Sequence, residues 1–167
     1  VFSDGQEVNR DALIAMMAAI LVKDYPNSTI VTDSVTSDKL TAFFEGELQL
    51  KHHRFQRGYK NVINECKRLN EEGVVSPLAI ETSGHGALKE NYYLDDGAYM
   101  AVKLLIAAAK TKAEGKTLNS LIEKLEPQFE TAEYRLKLKG EDFKAYGAKV
   151  LETFTARAKV KGYNIVT

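Results

Sequence analysis

Apolar residues along the chain recur at two spacings, one typical of helices and one typical of strands. Helical spacing predicts helices near residues 9–21, 37–44, 59–73, 97–109, 118–125 and 143–154. Short β-branched or alternating runs predict strands near residues 28–32, 47–55, 77–81 and 133–139. Strand and helix therefore alternate through most of the chain, which predicts an α/β fold with a sheet covered by helices.

Residues that start and stop helices refine these limits. Asn9 precedes the first predicted helix as a cap, and Asp95-Asp96-Gly97 introduces the longest one, where Asp95 and Asp96 are interpreted as helix caps. Thr117 is expected to cap a short helix that Pro127 stops. We place a domain boundary within about five residues of Glu126, so that residues 1–125 and 126–167 form separate units.

Composition narrows the classes of function. Lys plus Arg and Asp plus Glu both number 23, so the formal net charge is zero and favours neither nucleic acid nor membrane as a partner. The single cysteine, Cys66, cannot form an internal disulfide. The longest apolar run, Ala12–Val22, is too short to span a bilayer. These features favour a cytoplasmic protein, and the residues around Val1 and Thr167 suggest cut ends.

The segment Glu81-Thr82-Ser83-Gly84-His85, the 81–85 loop, contains the most informative chemistry. It follows a predicted strand, and the carboxyl ends of strands are where open α/β sheets place ligands. A carboxylate and a hydroxyl can bind sugar hydroxyls, and an imidazole can also move a proton. The same spacing also fits a solvated turn. We expect Glu81, Ser83 and His85 to lie on a solvent-exposed loop.

This loop resembles the sugar-binding loop of the α-D-phosphohexomutase superfamily, which reads Gly-Glu-x-Ser-Gly-His. Glu81, Ser83, Gly84 and His85 match that motif, whereas Ile80 replaces its leading glycine. The segment Arg57-Gly58-Tyr59-Lys60 resembles a Gly-x-Lys-type turn of the family, and Asp95-Asp96-Gly97 resembles its later Asp-Gly step. Residues 1–125 are thus similar to the third domain, a mixed sheet flanked by helices. Residues 126–167 resemble the truncated α+β start of the C-terminal phosphate-binding domain.

The resemblance implies a function for the parent enzyme. It would be an isomerase that interconverts hexose 1-phosphate and hexose 6-phosphate of glucose or mannose through a phosphoserine and a bisphosphorylated sugar. Glu81, Ser83 and His85 would contact the sugar, and His85 has a possible role in proton transfer. The phosphoserine loop, the magnesium loop and the phosphate-binding loop of the family are absent from this sequence. Magnesium would therefore bind outside this chain, which would be inactive without the remaining domains.

Basic residues near the predicted turn at Gly58 are further candidates. Lys60 and Arg57 are assigned to substrate binding, with Lys60 preferred as a source of positive charge. His52-His53-Arg54 could join them in attracting a phosphorylated sugar or could form a solvated strand end. Neighbouring histidines on a strand face opposite sides, so no metal site is predicted. The alternative function is a non-catalytic sugar- or nucleotide-binding α/β module.

Overall fold

The computed structural model describes residues 5, 8–127, 134, 137, 142–163 and 165. The chain divides into two compact units, Val1–Gln128 and Phe129–Thr167. The helices of the first unit are α1 Arg10–Leu21, α2 Asp38–Ala42, α3 Tyr59–Glu71 and α4 Gly97–Ala113. Its strands are β1 Thr29–Asp33, β2 Lys51–Phe55, β3 Leu78–Ile80 and β4 Gly86–Leu88. Within the second unit, α5 spans Phe143–Val160.

Side-chain caps fix the starts of three helices. The Asn9 side chain accepts a hydrogen bond from the Ala12 amide at α1, and the Ser37 side chain accepts one from the Leu40 amide at α2. Asp96 accepts from the Tyr99 amide at α4. Such caps satisfy amides that have no partner within the helix. The predicted caps at Asn9 and Asp96 are therefore confirmed.

The four strands form one mixed sheet in the order β2-β1-β3-β4. β1 is parallel to both β2 and β3, whereas β4 is antiparallel to β3. Parallel neighbours require crossovers, which α2 and α3 provide. The predicted α/β fold with a mixed sheet flanked by helices is confirmed. The sequence does not predict β4, because its run Gly86–Leu88 is too short to show alternation.

Both faces of the sheet are covered. Ile30 of β1 and Ile80 of β3 pack in the core cluster that also contains apolar residues of α1 and α4. Val31, the next residue along β1, packs instead with Val62 and Cys66 of α3. Because successive strand residues face opposite sides, this alternation places one helix layer on each side of the sheet. The parallel ends of β1 and β3 are held at one edge of this three-layer core.

Two local predictions were wrong. The second strand begins at Lys51 rather than near Glu47, because residues Phe43–Glu47 form a π-helical turn that continues α2. Thr117 makes no side-chain capping bond, and the short helix after it is the 3-10 turn Leu118–Ile122. 3-10 turns occur mainly in short segments, because their poorer hydrogen-bond geometry does not support long runs.

The second unit contains the last predicted helix. Asp142 caps α5 by accepting a hydrogen bond from the Ala145 amide, 3.1 Å away. The strand predicted at 133–139 lies almost entirely outside the described residues. Across the described ranges of both units, no helix is long and apolar enough to cross a bilayer.

Candidate functional site

The 81–85 loop joins β3 to β4 at the edge where the parallel strands end. Two backbone hydrogen bonds close it: the Glu81 amide donates to the His85 carbonyl (2.8 Å), and the Gly84 amide donates to the Glu81 carbonyl (3.0 Å). Gly84 has φ +95°, a left-handed conformation that glycine adopts without the strain of a side chain. The turn between β2 and α3 reaches the same edge, because β2 is parallel to β1.

Glu81 is buried, with 6 % of its surface exposed, so the expectation that it lies on a solvent-exposed loop was wrong. Its Oε1 accepts a hydrogen bond from the Gly58 amide (2.6 Å), and its Oε2 accepts one from Ser83 Oγ (3.1 Å). Gly58 precedes α3, so this carboxylate also lies at the positive end of that helix dipole. Burial of Glu81 therefore comes with donors that compensate the carboxylate charge, and no ion pair of Glu81 is found within the described part of the chain.

Ser83 and His85 are exposed, as predicted. His85 Nδ1 lies 2.7 Å from Asp95 Oδ2, and the Gly86 amide donates to Asp95 Oδ1 at 3.0 Å. The ring of Tyr59 stacks on the His85 imidazole with a centroid distance of 5.0 Å and an interplanar angle of 23°. The interpretation of Asp95 as a helix cap was wrong, because the cap of α4 is Asp96. Asp95 instead holds His85.

A buried aspartate at the end of β1 anchors the same loop. Asp33 ends β1 and is fully buried. Its Oδ2 accepts hydrogen bonds from Thr82 Oγ1 (2.7 Å) and from the Thr82 amide (3.2 Å). Its Oδ1 has no hydrogen-bond partner among the described residues. This anchor was not predicted from the sequence. The available signal was an acidic residue at the end of the β-branched strand β1.

The histidines of β2 have structural roles. His52 lies between Thr32 Oγ1 (2.8 Å) and Thr41 Oγ1 (2.7 Å). Burial, followed by the nearby charge of Arg54, lowers the pKa of His52 to about 3, so it is neutral at physiological pH. His53 faces the opposite side of the sheet, where its Nε2 lies 2.9 Å from Glu65 Oε1.

The Arg54 side chain also has its partners within the first unit. Its guanidinium pairs with Asp38 and donates to the Thr36 carbonyl at 2.9 Å. With both histidines bound within the fold, residues 52–54 do not form a basic surface toward the 81–85 loop. The interpretation of this segment as an attractor of phosphorylated sugars is therefore not supported by its contacts.

Lys60 and Arg57 flank the turn that supplies the Gly58 amide, and both are exposed. Lys60 Nζ lies 5.9 Å from the centroid of the Tyr59 ring, the ring that stacks on His85. Lys60 and His85 thus both lie beside the Tyr59 ring. Arg57 accepts a hydrogen bond at its carbonyl from Asn61 Nδ2 (3.0 Å), which braces the turn.

A metal centre requires several ligand side chains close together. Within the residues that the structure describes, no group of three or more histidine, cysteine or acidic side chains is arranged to hold a metal ion. Cys66 is buried, and burial raises the pKa of its thiol to about 11, so it is neither a thiolate ligand nor a nucleophile. The polar side chains that the structure places at this edge include the carboxylate of Glu81, the hydroxyl of Ser83 and the imidazole of His85.

Together, the helices and strands define an α/β/α domain with a polar loop at the carboxyl edge of its sheet. The chain belongs to the phosphoglucomutase/phosphomannomutase family, whose alpha/beta/alpha domain III matches residues 9–129. No curated protein matches the chain.

Two solved structures are similar to it. One is a phosphoglucomutase/phosphomannomutase family protein from Burkholderia thailandensis, with TM-score 0.59 and 26 % identity over 74 % of this chain. The other, from Thermus thermophilus, is described as a candidate phosphomannomutase, with TM-score 0.58 and 19 % identity over 71 % of this chain; at that identity it supports the fold alone. The match covers 25 % of the length of each of these proteins.

Proposed function

We propose that this chain is the sugar-recognition domain of a phosphohexomutase that interconverts hexose 1-phosphate and hexose 6-phosphate of glucose or mannose. Family membership supports the class of enzyme, and the setting of Glu81 supports the role of the domain. Its two carboxylate oxygens each accept one hydrogen bond from the protein. A carboxylate has about four acceptor positions, so roughly two are not used by donors among the described residues. A sugar hydroxyl would reach them through the 6 % of Glu81 that is exposed.

The proposed reaction explains why a carboxylate suits this position. A hexose phosphate that is phosphorylated at either end must bind in two orientations. Glu81 offers two oxygens held at fixed positions by Gly58 and Ser83, and each can accept from a different hydroxyl. The exposed Ser83 hydroxyl retains acceptor positions while it donates to Glu81. The same site can therefore bind both orientations of the sugar.

The other parts of the reaction are assigned to the rest of the enzyme. Phosphoserine formation, magnesium binding and most of the phosphate contacts are proposed to lie outside this chain, and residues 126–167 to begin the C-terminal phosphate-binding domain. Lys60 and Arg57 would add positive charge beside the sugar. We therefore expect the isolated chain to lack mutase activity, because phosphoryl transfer requires the nucleophile and the metal. Turnover of hexose phosphates by the purified chain, free of host enzyme, would contradict this division.

The test is Glu81→Ala in the full-length enzyme, with activity measured from glucose 1-phosphate and mannose 1-phosphate. Loss of hydrogen bonds to a charged group costs about 1.5–3 kcal/mol, so kcat/KM should fall about ten- to a hundredfold. Ser83→Ala should cost less, because a neutral hydroxyl forms weaker hydrogen bonds than a carboxylate. Glu72→Ala is the matched control, because Glu72 is an exposed glutamate at the far end of α3 that pairs with Arg68.

Phosphoserine occupancy, measured by mass spectrometry, should be the same in wild type and Glu81→Ala. That result separates sugar recognition from phosphorylation of the enzyme. Wild-type efficiency of Glu81→Ala on both sugars would refute the role of the loop. Binding of hexose phosphates by a full-length wild-type protein that never turns them over would instead support the non-catalytic alternative.

A further inference from the structure

His85 is held from two directions. Asp95 Oδ2 lies 2.7 Å from its Nδ1, and the Tyr59 ring stacks on its face at a centroid distance of 5.0 Å. Half of the His85 side chain, 51 %, remains exposed. Among the residues that the structure describes, its Nε2 has no hydrogen-bond partner. The ring is therefore fixed in plane and rotation while one nitrogen stays accessible.

The contact with Asp95 determines which nitrogen carries the proton. An ionised carboxylate only accepts hydrogen bonds, so Nδ1 of His85 must be the donor. In the neutral imidazole, Nε2 then has a lone pair and no proton. In that form, Nε2 can accept a hydrogen bond or a proton from a hydroxyl, but it cannot donate to one.

Asp95 is itself held in place by the adjoining strand. Its Oδ1 accepts from the Gly86 amide (3.0 Å), and its backbone forms an antiparallel bridge with Ala87 in β4. Asp96, the next residue, directs its carboxylate to the Tyr99 amide and to Asn91 instead. Two adjacent aspartates thus have separate tasks, and only the first contacts the 81–85 loop.

We propose that Asp95 is a positioning residue that fixes His85 in the Nδ1–H form, so that Nε2 accepts from a sugar hydroxyl in the reaction. The inference rests on the proposed function for the identity of that hydroxyl. Tyr59 holds the imidazole plane, and Asp95 sets its rotation and tautomer. No covalent bond forms or breaks in this role. The sugar hydroxyl keeps its proton and donates a hydrogen bond to Nε2.

The experiment compares Asp95→Asn with Asp96→Asn. Asparagine at position 95 keeps an oxygen for the Gly86 amide but can turn its NH2 group toward His85 Nδ1, which favours the Nε2–H form. Asp96→Asn removes the same charge one residue away and leaves a good helix cap, since asparagine caps as well as aspartate. Thermal unfolding of both variants verifies that each is folded.

The first measurement is the tautomer of His85, from the ¹⁵N chemical shifts of its ring nitrogens in the 167-residue chain at about pH 8.5, above the ordinary imidazole range. Wild type and Asp96→Asn should show the Nδ1–H form, and Asp95→Asn should shift toward Nε2–H. A wild-type ring in the Nε2–H form, or an unchanged tautomer in Asp95→Asn, would overturn the assignment. This measurement does not depend on enzymatic activity.

The second measurement is kcat/KM for hexose phosphates in the full-length enzyme. Asp95→Asn should lower it about tenfold or more, the effect expected when a charge-assisted hydrogen bond is lost, whereas Asp96→Asn should stay close to wild type. A changed tautomer with wild-type efficiency would refute the part that Asp95 has in the reaction. A wild-type enzyme without turnover would contradict the proposed function, while the tautomer result would still decide whether Asp95 controls His85.

Discussion

Replacing Thr82 with valine removes one hydroxyl from the anchor between the 81–85 loop and the end of β1. Thr82 and Asp33 are 7 % and 0 % exposed, so water does not replace a bond lost between them. Valine has nearly the volume of threonine, and the Thr82 amide still donates to Asp33 Oδ2 at 3.2 Å. The substitution therefore isolates the 2.7 Å bond from Thr82 Oγ1.

The magnitude follows from the chemistry of the acceptor. A hydrogen bond to a charged group contributes about 1.5–3 kcal/mol, and Asp33 Oδ1 already has no partner among the described residues. We expect Thr82→Val to lower the free energy of unfolding by about 2 kcal/mol. For a chain of this length, that corresponds to a decrease in Tm of about 4–8 °C.

Thr82→Ser is the matched control, because it keeps the hydroxyl and loses one buried methyl group, a cost of about 0.8 kcal/mol. Both variants should be unfolded with urea and followed by far-UV circular dichroism, with Tm measured in parallel. The reasoning requires Thr82→Val to be the less stable of the two. If Thr82→Val equals or exceeds Thr82→Ser in stability, the hydroxyl of Thr82 does not anchor the loop.

Two further predictions concern other parts of the first unit. Hydrogen bonding to Arg68 holds the pKa of Glu65 below its ordinary value of 4.5, so the carboxylate stabilises the fold above that pH and this contribution is lost as the pH falls through the lowered pKa. Urea unfolding between about pH 3 and 7 should show that the free energy of unfolding decreases less towards acid pH in Glu65→Gln than in wild type. The same decrease in both proteins would contradict the role of this pair. Gly86→Ala would place a Cβ 2.6 Å from Met100 Sδ, whereas the control Gly97→Ala meets nothing within 4 Å. Because the end of the Met100 side chain can shift, Gly86→Ala should cost about 1 kcal/mol, the low end of the overpacking range. Equal stability of these two glycine variants would show that the core around Met100 adapts freely.

The fold was predictable because its elements are marked by strong local signals. The buried apolar face of α3 and the cap of α1 depend on residues three or four positions apart, and both appear in the structure. β4 and the late start of β2 depend on pairing with distant strands. A run as short as β4 has too few residues for a hydrophobic pattern that would indicate strand pairing.

The candidate site was predictable only in part. The motif indicated Glu81, Ser83 and His85, but the partners of the loop come from distant positions in the chain: Gly58, Asp33 and Asp95. Glu81 was expected to be exposed because it opens a loop at the carboxyl edge of the sheet. Its burial follows from a backbone amide supplied 23 residues earlier in the sequence, which no local pattern reveals.

The partners of the 81–85 loop have a consequence for protein engineering. Thr82 is held by a buried carboxylate, Glu81 by a backbone amide and the Ser83 hydroxyl, and His85 by Asp95, so residues that cannot form these bonds would release the loop. Ser83 is exposed, and its side chain bonds to Glu81 within the loop rather than to a distant element. A library that tests the proposed sugar recognition should therefore vary position 83 first, with residues that keep a donor for Glu81. The side chain of Lys60 offers a second variable site, because the donor to Glu81 in that turn is the main-chain amide of Gly58.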